Sequence, residues 1–324
     1  METIQNPDPE LTPPELPQDN TSPAGVPYGQ PIEEPQPTDR SIVKDAFKFL
    51  LRYIGLVILG VFVTGIPAIV LFLVLSSFVK GHGDLLKDWV AALVLAGAQL
   101  VPLYVFWKKK WCDFSWVKMP NLVKILLWIV VAWLGYLCID AFVVEVYTWI
   151  GIDVDAQKSI SEEGAIPLTL ISCCILAPLT EEAFYRGAFE RKFLEASWNP
   201  WYAIVISAAV FGLMHFDPYV STLTFGAGLL MGWIYYRTRN IWLTVFLHFI
   251  NNTFSSATDL LNFEDPFSSG KYPFYVYVLL LVAGVVLICV AARAIGKIMT
   301  SNEQVVMLND GGGEGDGDND PSLF

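Results

Sequence analysis

Apolar residues in this chain come in runs too long for a soluble fold, separated by short polar breaks. A helix that crosses a bilayer needs about 20 mostly apolar residues. Eight stretches meet or approach that length: 53–79, 88–107, 122–150, 166–193, 200–216, 219–237, 240–260 and 273–296. Only Asp217 and Pro218 separate the fifth from the sixth. The pattern predicts an all-α polytopic membrane protein with about eight transmembrane helices. No internal repeat is visible, so the inverted-repeat architecture of many transporters gains no support.

The ends of the chain are of a different character. Residues 1–40 hold eight acids, one base and ten of the twenty prolines; residues 301–324 hold six acids and no base. These segments account for the net charge of −12 and leave the middle near neutral. They predict a disordered Pro-rich acidic tail over 1–45, a membrane-embedded helical domain over 46–300, and an acidic Gly/Asp-rich tail over 301–324. The run Asp310-Gly-Gly-Gly-Glu-Gly-Asp resembles a calcium loop only in composition, because it lacks the EF-hand spacing. Five cysteines without a CxxC pattern, four of them in apolar segments, predict reduced structural thiols. No signal peptide is visible ahead of the first apolar run.

Basic residues set an expected orientation. With the N-terminus in the cytoplasm, Arg40, Lys44, Lys48, Arg52, Lys108 to Lys110, Lys118, Lys124, Arg191, Lys192, Arg237, Arg239, Arg293 and Lys297 fall inside. Only Lys80, Lys87, Lys158 and Lys271 fall outside. That bias predicts an integral membrane protein with both termini cytoplasmic, in the cell membrane if the source is prokaryotic.

Chemistry enters in the fourth segment. Ala165 to Thr180 carries no charge, and Glu181, Glu182 and then Arg186 follow. A carboxylate at the centre of a membrane helix costs roughly 2.5–3.5 kcal/mol on insertion scales, so such groups mark function by default. On a helix Glu182 and Arg186 share a face and can pair, while Glu181 is turned about 100° away. Glu181 is therefore the free carboxylate and the candidate general base. The bland alternative is an ion-pair network that locks helices together. Downstream, Phe211 precedes His215 by four, and His248 precedes Asn252 by four. Spans four and five, joined near Ser197, bring Glu181 and His215 to similar levels, about 16 and 18 residues from the connection. The tip of that hairpin, around Glu190, Arg191, Lys192 and Glu195, is expected to project into the cytoplasm.

Glu-Glu-x-x-x-Arg, Phe-x-x-x-His and His-x-x-x-Asn, in that order on successive apolar helices, resemble the CPBP family of intramembrane proteases (CAAX prenyl protease 2, bacteriocin-processing and Abi proteins). The resemblance covers about 120–260. It implies an endopeptidase in which Glu181 and His215 activate water, His248 and Asn252 stabilise the oxyanion, and Glu182 and Arg186, with Phe211, support the site. The family's metalloprotease label implies Zn2+ as a candidate cofactor with Glu181, His215 and His248 as ligands. No HExxH is present, and water activation by a carboxylate does not itself require a metal, so that point stays open here. The expected partners are the lipid bilayer and a peptide or membrane-protein substrate, not nucleic acid. Two rival classes remain: an ion- or proton-coupled transporter, kept alive by Asp140 and Glu145 in the third segment, and a non-proteolytic scaffold or immunity protein.

Overall fold

Helices that carry Leu, Val, Ile and Phe on every side are stable only where lipid or protein covers them all round. The chain is built of such helices. In a computed structural model, the described residues are 39–310 apart from 79–82, 116–118, 153, 155–164, 197–198 and 262–266. They form α1 (Asp39–Phe78), α2 (Gly83–Lys108), α3 (Leu122–Trp149), α4 (Ile166–Glu195), α5 (Pro200–Leu213), α6 (Pro218–Thr238), α7 (Ile241–Leu260) and α8 (Phe274–Asp310), with no strand among them.

Each predicted segment contains one helix, and the all-α polytopic architecture holds. By length and composition, α1 to α4 and α8 can cross a membrane. α5 is apolar but has 14 residues, a rise of about 21 Å against a hydrocarbon core of roughly 30 Å. α6 and α7 are long enough, but Ser, Thr, Asn and Tyr dilute their apolar character. Among the described residues, five helices therefore meet the length and composition criteria for a full span, and the other three are apolar helices beside them. α1 begins at Asp39 and α8 runs to Asp310, both beyond the limits expected for the membrane domain. The remainder of the two acidic tails lies outside the described residues.

The helices pair closely: α1 with α2, α3 with α8, and α5 with α6. Glycines permit two of these approaches. A Cβ at Gly135 of α3 would lie 2.7 Å from the carbonyl oxygen of Gly284 on α8, and a Cβ at Gly60 would strike the backbone of Gly97. Without a hydrophobic drive between helices in lipid, such close packing is a main source of association. All five cysteines are free thiols. Cys112, in the α2–α3 connection, fills the space beside Gly187 of α4, and burial pushes its thiol up to about 12. Glu145 accepts hydrogen bonds from Ser269 Oγ at 2.7 Å and the Gly270 N–H at 2.9 Å, so it anchors the loop before α8.

A Val at Gly284 is expected to destabilise the protein by about 1–3 kcal/mol through overpacking against α3. Ala at Gly55, where a Cβ meets nothing within 4 Å, is expected to be neutral or stabilising by up to about 1 kcal/mol. Thermal unfolding of the two purified variants in detergent checks both.

Candidate active site

The site is built on an irregular stretch of α4. Two π-helical segments, Ile171–Leu176 and Tyr185–Glu190, bracket an eight-residue α-helical piece, Ala177–Phe184, that carries both glutamates. In the first of them the Ala177 N–H reaches back to the Ser172 carbonyl. The residue that would serve the Cys173 carbonyl in that pattern is Pro178, which has no N–H. The orphaned carbonyl accepts instead from Asn252 Nδ2 of α7, at 2.9 Å. A wide turn and a proline thus explain why an amide on another helix is held at this level.

Glu182 and Arg186 are fully buried and paired, with Arg186 Nη1 donating to Glu182 Oε1 at 2.8 Å. Arg186 Nη2 donates to the Gly228 carbonyl of α6 at 3.1 Å, and its guanidinium lies 4.9 Å from the centroid of Phe211. The same Glu182 Oε1 lies 2.9 Å from His248 Nδ1. An ionised carboxylate only accepts, so His248 Nδ1–H donates and the neutral ring carries its lone pair on Nε2. Glu182 is therefore more than a helix support: it sets the tautomer and orientation of the histidine.

Glu181 is turned away from that pair, with about a quarter of its side chain exposed and Oε2 lying 3.9 Å from His248 Nε2. That gap is too long for a direct hydrogen bond and suits one shared water. His215 lies beyond the end of α5 rather than within a span, in the tight turn that leads to α6. Its Nδ1 is 3.0 Å from the Phe211 carbonyl. A carbonyl only accepts, so this ring also donates from Nδ1 and leaves Nε2 bare. The bond satisfies a carbonyl of the last turn of α5. Asp217 caps α6 through the Val220 N–H at 2.8 Å. The two caps explain how a turn can interrupt the apolar run here.

Glu181, His215, His248, Asn252 and Phe211 line one cavity of about 110 Å3, together with Trp133, Tyr136, Thr224 and Asn251. Phe211 is buried and meets both imidazoles edge-on, at 5.2 and 5.8 Å between centroids. Trp133 and Asn251 were not legible in advance; Trp133 Nε1 donates to Asn251 Oδ1 at 3.3 Å. Neither Asp140 nor Glu145 lines this cavity.

Two expectations need correction. Glu190 does not belong to a solvated hairpin tip. It is fully buried, neither carboxylate oxygen has a hydrogen-bond partner among the described residues, and a Cβ at Gly232 of α6 would lie 2.8 Å from its Oε2. Glu182, Arg186 and Glu190 repeat every four residues on α4, opposite Gly228 and Gly232 of α6, and that spacing was the available signal. The zinc expectation also gains no structural footing. Directly bound ligand atoms sit about 2.0–2.2 Å from zinc. Among the described residues no group of three His, Cys, Asp or Glu side chains converges to hold a metal, and Glu181, His215 and His248 form none. The residues as placed do not fit the ion, and no step below runs through one.

The fold and site define a class, an all-α integral membrane protein with a buried carboxylate and imidazole centre. Residues 163–254 match the family described as Rce1-like, type II CAAX prenyl endopeptidase Rce1-like. Over 90 residues the chain is 33% identical to the protein "Putative membrane peptidase YdiL" of Bacillus subtilis (strain 168), covering 28% of this chain and 36% of that one. The matched segment thus spans about a third of the relative's length. No solved structure matches the chain. The resemblance to the CPBP family holds over this segment, which contains all three motifs.

Arg186→Leu is expected to destabilise the protein by about 3–5 kcal/mol, because it strands buried Glu182 and Glu190 without a counter-charge. Glu190→Leu removes a carboxylate that makes no hydrogen bond and leaves Arg186 on Glu182, so its change should stay within about 1 kcal/mol. Comparing the two melting curves checks the asymmetry.

Proposed function

We propose that the chain is an intramembrane endopeptidase that cleaves a peptide bond in a membrane-associated or lipidated substrate. The observation that carries the reading is the free Glu181 carboxylate facing the bare Nε2 of His248 across 3.9 Å, inside a cavity that His215 and Asn252 share. Such a cavity holds about three or four waters at roughly 30 Å3 each.

A water held between Glu181 and the imidazoles is the nucleophile. Glu181 takes its proton, and His215 Nε2 accepts its second hydrogen and fixes its direction. The water oxygen bonds to the scissile carbonyl carbon, and the carbonyl oxygen becomes the oxyanion. That oxygen accepts from the amide of Asn252, while His248 keeps its Nδ1–H on Glu182 and its bare Nε2 toward the cavity. Asn252 has one amide N–H on the Cys173 carbonyl and a second to offer. The protonated Glu181 then delivers its proton to the leaving nitrogen, the C–N bond breaks, and the remaining hydroxyl proton passes to the freed amine, so that a carboxylate and an ammonium result. Oriented donors in a water-poor cavity contribute about 2.7–4 kcal/mol each at comparable oxyanion sites.

The name of the matched family suggests a CAAX-type processing site as the substrate class, and a membrane peptidase relative fits the same reaction. A transporter would draw on polar groups along α3, but Glu145 is taken up by the loop before α8. Glu181→Gln keeps the size of the side chain and removes the base. It is expected to reduce cleavage of a membrane peptide library by more than a thousandfold while the melting temperature stays near that of the wild type. Retained cleavage in that variant contradicts the assignment.

A further inference from the structure

Away from the catalytic cavity, α6 and α8 border an open surface recess of about 380 Å3, lined by Arg237, Arg293, Gly296, Lys297, Thr300 and Ser301. Among the described residues its lining holds three cations and no acid. Arg237 lies in the last turn of α6, and Arg293 and Lys297 are one turn apart on α8. Among the described residues none of the three cations forms an ion pair or hydrogen bond. Thr300 Oγ1 donates to the Gly296 carbonyl at 3.1 Å, so the free donors are the three cations and Ser301. Gly296 opens onto the space, since a Cβ there would meet nothing within 4 Å.

Cations drawn together without a counter-ion repel one another, and an anion seated among them removes that cost. The face of α8 that leads to the recess says what kind of anion. Val282, Val286 and Val290 are exposed apolar residues spaced by four; Arg293 follows by three and Lys297 by four more. That spacing sets them on one helix face, an apolar stripe ending in a cationic cup. This is the complement of an acyl chain ending in a phosphate. Basic pockets between transmembrane helices bind anionic headgroups on the same principle.

We propose that this recess is a phosphate-binding site for the headgroup of an anionic phospholipid whose acyl chain lies along the valine stripe of α8. The proposal is independent of the catalytic reading. It is tested by thermophoresis of the full chain in neutral detergent, with dioctanoyl phosphatidylglycerol, dioctanoyl phosphatidylcholine and inorganic phosphate as probes. Arg293→Gln with Lys297→Gln removes charge; Gly296→Leu keeps every charge and fills the space. The wild type is expected to bind phosphatidylglycerol saturably, at least tenfold more tightly than phosphatidylcholine, and both variants are expected to lose at least tenfold with unchanged melting temperatures. Inorganic phosphate that binds as tightly, and is lost in the same variants, keeps the phosphate site and overturns the lipid as its source. Unchanged binding in both variants overturns the site. Loss in the charge variant with none in Gly296→Leu also overturns it, because the attraction is then diffuse.

Discussion

One oxygen atom, Glu182 Oε1, ties together the half of the molecule that holds the candidate site. It receives Arg186 from its own helix and His248 from α7, and Arg186 carries the link on to the α6 backbone at Gly228. A buried carboxylate is tolerable only when its charge is met and hydrogen-bonded. The three helices therefore cannot separate without exposing an unpaired ion to an apolar interior. The same bond fixes the edge of His248 that faces Glu181. Structure and site chemistry rest on one constraint here, which is why a supporting carboxylate sits beside the free one.

Irregular backbone in an apolar setting must be satisfied by other protein groups, and the site occupies the places where that has been done. The π-helical turn at 171–176 leaves the Cys173 carbonyl to Asn252. The end of α5 leaves the Phe211 carbonyl to His215. In both cases a polar side chain lines the cavity because a backbone group nearby lacks a helical partner. π-helical turns inside α-helices often occur at functional sites, and here the reason is visible in particular hydrogen bonds. Gly232 leaves room on α6 for the buried Glu190 carboxylate, while Gly228 lets α6 approach Ala208 and Phe211 of α5.

Much of this was legible in the sequence because it depends on local spacing. The eight apolar segments, the Glu182–Arg186 pair and the separation of Glu181 from it all follow from hydrophobic run lengths and a 3.6-residue repeat. What escaped depends on contacts between helices. Glu190 reads as part of a charged tip until Gly232 of a distant segment is seen to make room for it. His215 reads as helical because neither Gly nor Pro stands at 214–216; only the Asp217 cap marks the turn, and Phe216 enters the left-handed region at φ 55°. The His248–Glu182 bond and the Trp133–Asn251 pair join residues 66 and 118 positions apart, beyond any local pattern. Run length registers apolar character without asking whether a helix as short as α5 can reach across.

The account stands or falls on the direction of the His248 ring. Nitrogen-15 spectra of the histidine-labelled protein, at a pH where the ring is neutral, report which nitrogen carries hydrogen. The account requires hydrogen on Nδ1 in the wild type and loss of that preference in Glu182→Gln. Hydrogen found on Nε2 in the wild type would place the donor on the cavity side and contradict the arrangement from which the chemistry is derived.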